Sequence, residues 1–145
     1  MKRLFAIVVL IPFLLISCNK IQGKKSNEKA GALFQKNSWR VSEFYNEEND
    51  FSYLLSGYAF TFNTDGTVRA FKNGTEFMGN WKDTISIDSL NTEKESIKLN
   101  FPNIRPINDL NKNWEVAEKM TKFIHLKNLE REEAGYNHIF FKLNE

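Results

Sequence analysis

A single cysteine, Cys18, in a chain of 145 residues excludes any disulfide within it. The fold must therefore rest on apolar packing. Only His125 and His138 titrate near neutral pH, and neither sits in a His-Glu-x-x-His metal motif. No serine stands in Gly-x-Ser-x-Gly, and no cofactor or metal motif is present. Long hydrophobic runs are also missing. The one apolar run, residues 4–16, spans 13 positions including Pro12, whereas a helix needs roughly 20 to cross a bilayer. Nor is there an excess charge. Without residues 1–17 the chain carries 18 basic and 18 acidic side chains, which gives no basic footprint for nucleic acid.

What is present begins at the N-terminus. Met1-Lys2-Arg3 is basic, the apolar run follows, and Ser17 precedes Cys18; that order predicts a secretory signal over residues 1–17. The placing of Cys18 resembles the lipobox of bacterial lipoproteins. The resemblance implies cleavage between Ser17 and Cys18, a thioether-linked diacylglycerol on Cys18, and a membrane as partner. It also places the protein in the cell envelope. Asn19 in place of an aspartate implies the outer membrane, with the periplasmic or outer face left open. Residues 18–36 carry Lys20, Lys24, Lys25 and Lys29 with Gly23 and Gly31, and are expected to form a flexible tether with a turn of helix at 30–34.

Residues 37–145 form the expected domain. Trp39 and Val41, then Tyr58, Phe60 and Phe62, then Val68 and Ala70 recur two apart, the period of half-buried strands. Asn63-Thr64-Asp65-Gly66 and Asn73-Gly74 are turn sequences. Further alternation falls at Phe77–Trp81, Ile97–Phe101, Trp114–Val116, Phe123–Leu126 and Ile139–Leu143. The pattern predicts an all-β, antiparallel meander of eight or nine strands, closed as a barrel or stacked as a sandwich. Residues 46–55 lack a period and are expected to hold an irregular or helical insertion. Pro102 and Pro106 make residues 102–112 a loop, with a helical turn near Asn108-Asp109.

The elements Trp39-x-Val41, Phe60-x-Phe62-Asn63-x-Asp65-Gly66-Thr67-Val68, Gly79-x-Trp81 and Trp114-x-Val116 resemble the lipocalin-like domain of small Bacteroidota-type lipoproteins. The match runs from about Ser38 to Leu143. It implies a lipocalin-like barrel whose interior accepts a small apolar or amphipathic ligand, and it supplies no catalytic residues. One departure is Asn37, where lipocalins carry a glycine two before the tryptophan. Alternating inward aromatics suit a small barrel, which has room for side chains or one ligand. Trp39, Phe60, Phe62, Trp81, Phe101 and Trp114 are the candidate lining residues; plain core packing is the competing account.

Other patterns carry less chemistry. Asn63-Thr64-Asp65-Gly66 fails as a calcium loop, because Thr61 and Lys72 would stand where acidic ligands are needed. Asn73-Gly74-Thr75 is a sequon that its turn already explains. Asp83-Thr84-Ile85 and Asp88-Ser89-Leu90 resemble the O-glycosylation motif of exported Bacteroidota-type proteins, making Thr84 and Ser89 candidate acceptors. Glu130-Arg131-Glu132-Glu133 is expected to be a solvated loop. Three functions follow in order: a tethered ligand-binding barrel, a packed-core interaction or envelope-assembly module using its outer face or the 102–112 loop, and an enzyme built on His125 and His138.

Overall fold

The computed structural model describes residues 23–47, 49–131 and 135–145; the expected signal peptide, Cys18, and Glu132 and Glu133 of the charged run lie outside them. Helix α1 (Ala30–Lys36) leads into β1 (Ser38–Asn46), the two-residue β2 (Asn49–Asp50), short helix α2 (Ser52–Leu55) and β3 (Ala59–Phe62). Then come β4 (Thr67–Lys72), β5 (Thr75–Ile87), β6 (Glu93–Asn100), a 3-10 turn (Ile107–Leu110), β7 (Asn113–Met120), β8 (Phe123–Arg131) and β9 (Gly135–Leu143).

All pairings are antiparallel; from β3 to β9 sheet neighbours follow chain order, β1 lies beside β3, and β1 also pairs with β9 from Trp39↔Leu143 to Tyr45↔His138. Eight strands thus close into a barrel, with β2 as an extra strand on β1. The expected β2–α2 insertion and the helical turn before β7 are both present. Of the two architectures expected, the structure is the barrel, because closing β1 on β9 removes both exposed edges of the meander.

The interior is filled by every second residue. Phe60 and Phe62, Val68 and Ala70, Ile97 and Leu99, Ile124 and Leu126, and Ile139 and Phe141 are all buried. On β1 the strict period would bury Glu43 after Trp39 and Val41. A register shift between Val41 and Glu43 inserts one residue and turns Phe44 inward instead. Gly79 on β5 leaves room for a neighbour: a Cβ there would lie 2.6 Å from the Asn100 carbonyl oxygen and 2.7 Å from the Phe101 ring.

The strand directions define two ends. Residue 37, the β3–β4 turn at 63–66, the β5–β6 turn at 88–92 and the β7–β8 turn at 121–122 lie at one, which α1 occupies. Residues 23–36, expected to be a flexible tether, are folded onto this end. Lys25 pairs with Met120, and Ser26 N–H donates to the Lys119 carbonyl at 3.3 Å. Ala30, Leu33 and Phe34, spaced i, i+3, i+4, then bury one face of α1 in the core.

The first helical N–H groups have no cap from Lys29. The Glu95 carboxylate accepts from Ala30 N–H, and Asp83 accepts from Gly31. Lys119 balances Glu95 at 2.6 Å. Burial, then the neighbouring Glu95, raises the Asp83 carboxyl above its usual range.

At the opposite end, Trp114 Nε1 donates to the Leu110 carbonyl at 3.0 Å, and Asn111 bonds both backbone groups of Phe101. Trp39 Nε1 donates to the Phe34 carbonyl at 3.2 Å, and Trp81 Nε1 to the Asn63 carbonyl at 2.9 Å. Each indole therefore ties one connecting segment to the barrel wall.

Gly79→Ala is expected to lower stability by about 1–3 kcal/mol, since the added methyl meets backbone and a packed ring. Urea denaturation of both forms measures this; a change within error would mean that Asn100 and Phe101 yield freely.

Candidate functional site

The six candidate lining residues, Trp39, Phe60, Phe62, Trp81, Phe101 and Trp114, are buried, none more than 8% exposed. They lie against rings. Phe34 of α1 meets Phe62 at 4.3 Å, Phe141 at 5.2 Å and Trp39 at 5.4 Å between ring centroids. Phe62 meets Trp81 edge-on at 5.4 Å, and Phe60 bridges Phe141 at 5.6 Å and Phe101 at 6.4 Å. These are ordinary separations for packed aromatic pairs. Five of the six thus share one network. Trp114 stands apart from it, edge-on to Phe44 at 6.5 Å. Phe34 and Phe141, with Tyr58 against Phe60 at 6.3 Å, also belong to the network but were outside the candidate set. The α1 spacing was the available signal for Phe34, and strand alternation for Phe141.

Open surface lies on the outer wall of β6–β9. Strands β6 and β7 pair only through Ser96↔Glu115, Ile97↔Trp114 and Lys98↔Asn113. Toward the α1 end they diverge around a groove of about 700 Å³, flanked by Thr92–Glu95 and by Val116, Ala117 and Met120. A smaller concavity of about 390 Å³ continues it past Glu115, Lys127 and Tyr136. Lys127 pairs with Glu115 at 3.3 Å and sits 5.5 Å from the Tyr136 ring centre.

His125, on the groove wall, and His138 point outward from β8 and β9 because Ile124, Leu126 and Ile139 take the inward positions. The sequence expectation of cross-strand proximity is met: His125 Nε2 and His138 Nδ1 are 2.9 Å apart. Phe140 stacks on His125 at 4.1 Å and 10°. Burial, then His138 and Lys127, lowers the His125 pKa to about 4. Burial, then Lys127, lowers that of His138. Both rings are therefore neutral at pH 7, and one imidazole N–H donates to the other ring. Glu118 lies opposite His125 on β7. Among the described residues, no group of three or more His, Cys, Asp or Glu is placed to hold a metal ion. Chemically, the arrangement offers a stacked, neutral, hydrogen-bonding surface.

The remaining candidates are spread widely. Thr84 is exposed on β5, and Ser89 is exposed in the β5–β6 turn. In the 102–112 loop Leu110 is buried beneath Trp114, whereas Ile104 is 46% exposed. Asn108 donates to the Asn103 side chain at 2.7 Å. Cys18 lies outside the described residues.

Lowered histidine pKa values mean that the unfolded chain takes up protons first as pH falls. Stability is full above the ordinary histidine value of 6.5 and declines from there toward about 4. The unfolding temperature of the protein should drop between pH 7 and pH 5, and His125→Phe, which keeps the stacking, should flatten that drop. Equal drops in both proteins would show that other groups carry it.

No protein-family model matches this chain, and no curated protein is significantly similar to it. Among solved structures, its fold is similar to the crystal structure of a DUF4847 family protein from Bacteroides vulgatus ATCC 8482. The TM-score is 0.50 and the identity 17%, over 78% of this chain and 96% of that one. At this identity the likeness concerns the fold alone.

Proposed function

We propose that this protein is a lipid-anchored, non-catalytic barrel of the bacterial cell envelope, and that it acts by docking another protein on the outer wall of β6–β9. The observation that carries this over a ligand-carrying barrel is ring-to-ring contact among the residues that would line a chamber. A ligand chamber needs open volume and an apolar lining. Here Phe34 occupies the space between Trp39, Phe62 and Phe141.

Anchoring is supported by Lys2-Arg3, the apolar run and Ser17-Cys18, and a structural neighbour from a Bacteroides species suits a Bacteroidota-type origin. The barrel wall has the polarity of a water-soluble domain: apolar side chains face inward, while Arg69, Lys82, Lys98 and Glu118 are exposed. That is the reverse of a membrane-spanning barrel. By the sorting resemblance of Asn19, the outer membrane is the site of attachment.

The groove suits a protein partner. Residues 25 and 26 already take the end of β7 through Met120 and Lys119, which leaves the β6 side of the groove, Thr92–Glu95, to an added extended segment. Val116, Ala117 and Met120 supply apolar contact, and Glu115 with Lys127 supplies paired charge beside it.

Two measurements test this. An apolar fluorophore such as N-phenylnaphthylamine should bind Phe60→Ala and leave the unaltered protein dark, with Phe60→Ala less stable by about 3–5 kcal/mol. Saturable uptake by the unaltered protein would restore the ligand-carrier function. A photo-crosslinking residue at Ala117, in the native host, should capture a discrete protein that the same residue at Thr75 does not. No difference between the two positions would remove the groove as the docking face.

A further inference from the structure

The β5–β6 hairpin projects from the end of the barrel where the N-terminal segment enters. Thr67, the first residue of β4, pairs with Asn80, and the Trp81 N–H donates to Gly66. Beyond Trp81, β5 continues for six residues to Ile87, about 20 Å of strand. It then turns at 88–92 and returns as β6, with Ile87 paired to Glu93. The turn is well formed. Asp88 accepts from the Leu90 and Thr92 N–H groups at 2.9 Å each, and Asn91 takes a φ of 60°. Yet this ordered tip carries the two most exposed large apolar side chains among the described residues, Leu90 at 83% and Ile87 at 70%.

We infer that the β5–β6 turn is a membrane-contact element, its Ile87 and Leu90 dipping into the lipid surface to which Cys18 anchors the chain. The inference rests on the lipid-anchor proposal and deepens it. Chain length is the main argument. Gly23 lies against Thr121 and Lys122, at the β7–β8 turn on the same end of the barrel. Five residues from Cys18 to Gly23 span at most about 18 Å. An acylated Cys18 sits at the headgroup boundary, so this end is held within that distance of it. The hairpin outruns the β3–β4 turn on this end, while its stem backs α1 through Asp83 and Glu95.

Chemistry agrees with the geometry. Ile87 and Leu90 are already exposed, so transferring them to lipid disrupts no core contact. The exposed Lys24, Lys25 and Lys29 on the entering segment favour an anionic surface. The Asp88 carboxylate stays charged, but its oxygens are taken up by the turn N–H groups and face Lys94 at 3.8 Å. Glu93, exposed and directly across from Ile87, holds that pair at the headgroup level, so that Leu90 in the turn enters deepest.

The test uses the full chain, expressed with its own N-terminus so that Cys18 is processed, in vesicles of phosphatidylethanolamine and phosphatidylglycerol. With Cys18 acylated, Ser89→Cys provides one labelling site that leaves Ile87 and Leu90 intact. Thr75→Cys labels the other end of β5. On chains that float with the vesicles, a nitrobenzoxadiazole dye at position 89 should emit to the blue. It should be several-fold less quenched by iodide than the same dye at position 75. Adding Ile87→Asp and Leu90→Asp should abolish the protection. Floating chains with equal quenching at both positions would overturn the hairpin contact and leave the anchor standing. Chains that do not float would overturn the anchor and the contact with it.

Discussion

Closing the sheet through β1 and β9 encloses an interior of set volume, and the other features of the barrel follow from filling it. A protein interior tolerates few voids, because unfilled space forfeits dispersion contacts on every side. Strand residues alone do not complete this interior. Phe34, delivered by α1, takes the gap between Trp39, Phe62 and Phe141. The extra residue in β1 turns Phe44 onto Trp114, and Gly79 yields its side-chain volume to Phe101. Each adjustment serves one end: aromatic rings packed in a closed wall.

Filling the interior decides how the polar groups are arranged. The three indoles cannot bury their N–H groups unpaired. Each donates to the carbonyl of a segment outside the strands: Phe34 of α1, Asn63 of a turn, or Leu110 of the 3-10 turn. The tryptophans thus fix the caps of the barrel as well as its core. Docking α1 brings its bare N-terminus onto β5 and β6, where Asp83 and Glu95 receive it and Lys119 offsets the charge. With volume used inside, the docking proposed above falls on the outer wall, where the β6–β7 divergence and the stacked His125, His138 and Phe140 lie.

The strands were legible because a half-buried strand writes its period directly into sequence, as at Phe60-x-Phe62 and Ile97-x-Leu99. Turn residues at 63–66 and 73–74 marked their boundaries for equally local reasons. The same locality explains the proximity of His125 and His138, which one hairpin connects. Residues 30–36 were harder. Three apolar positions on a short helix carry no sign of what they pack against, and lysine-rich flanks look like linker. The β1 register shift was not visible either, since Trp39, Val41 and Phe44 conflict under any single period.

By itself, then, the sequence determined an antiparallel meander, its turns and its aromatic core set, all of which depend on neighbours close along the chain. Tertiary structure alone decided that the meander closes as a barrel, that Phe34 fills it, that β6 and β7 part to form a groove, and that Ile87 and Leu90 project beside the entering segment. Those outcomes depend on contacts between distant residues and on whether summed side-chain volumes fit one enclosed space, and no local pattern encodes that sum.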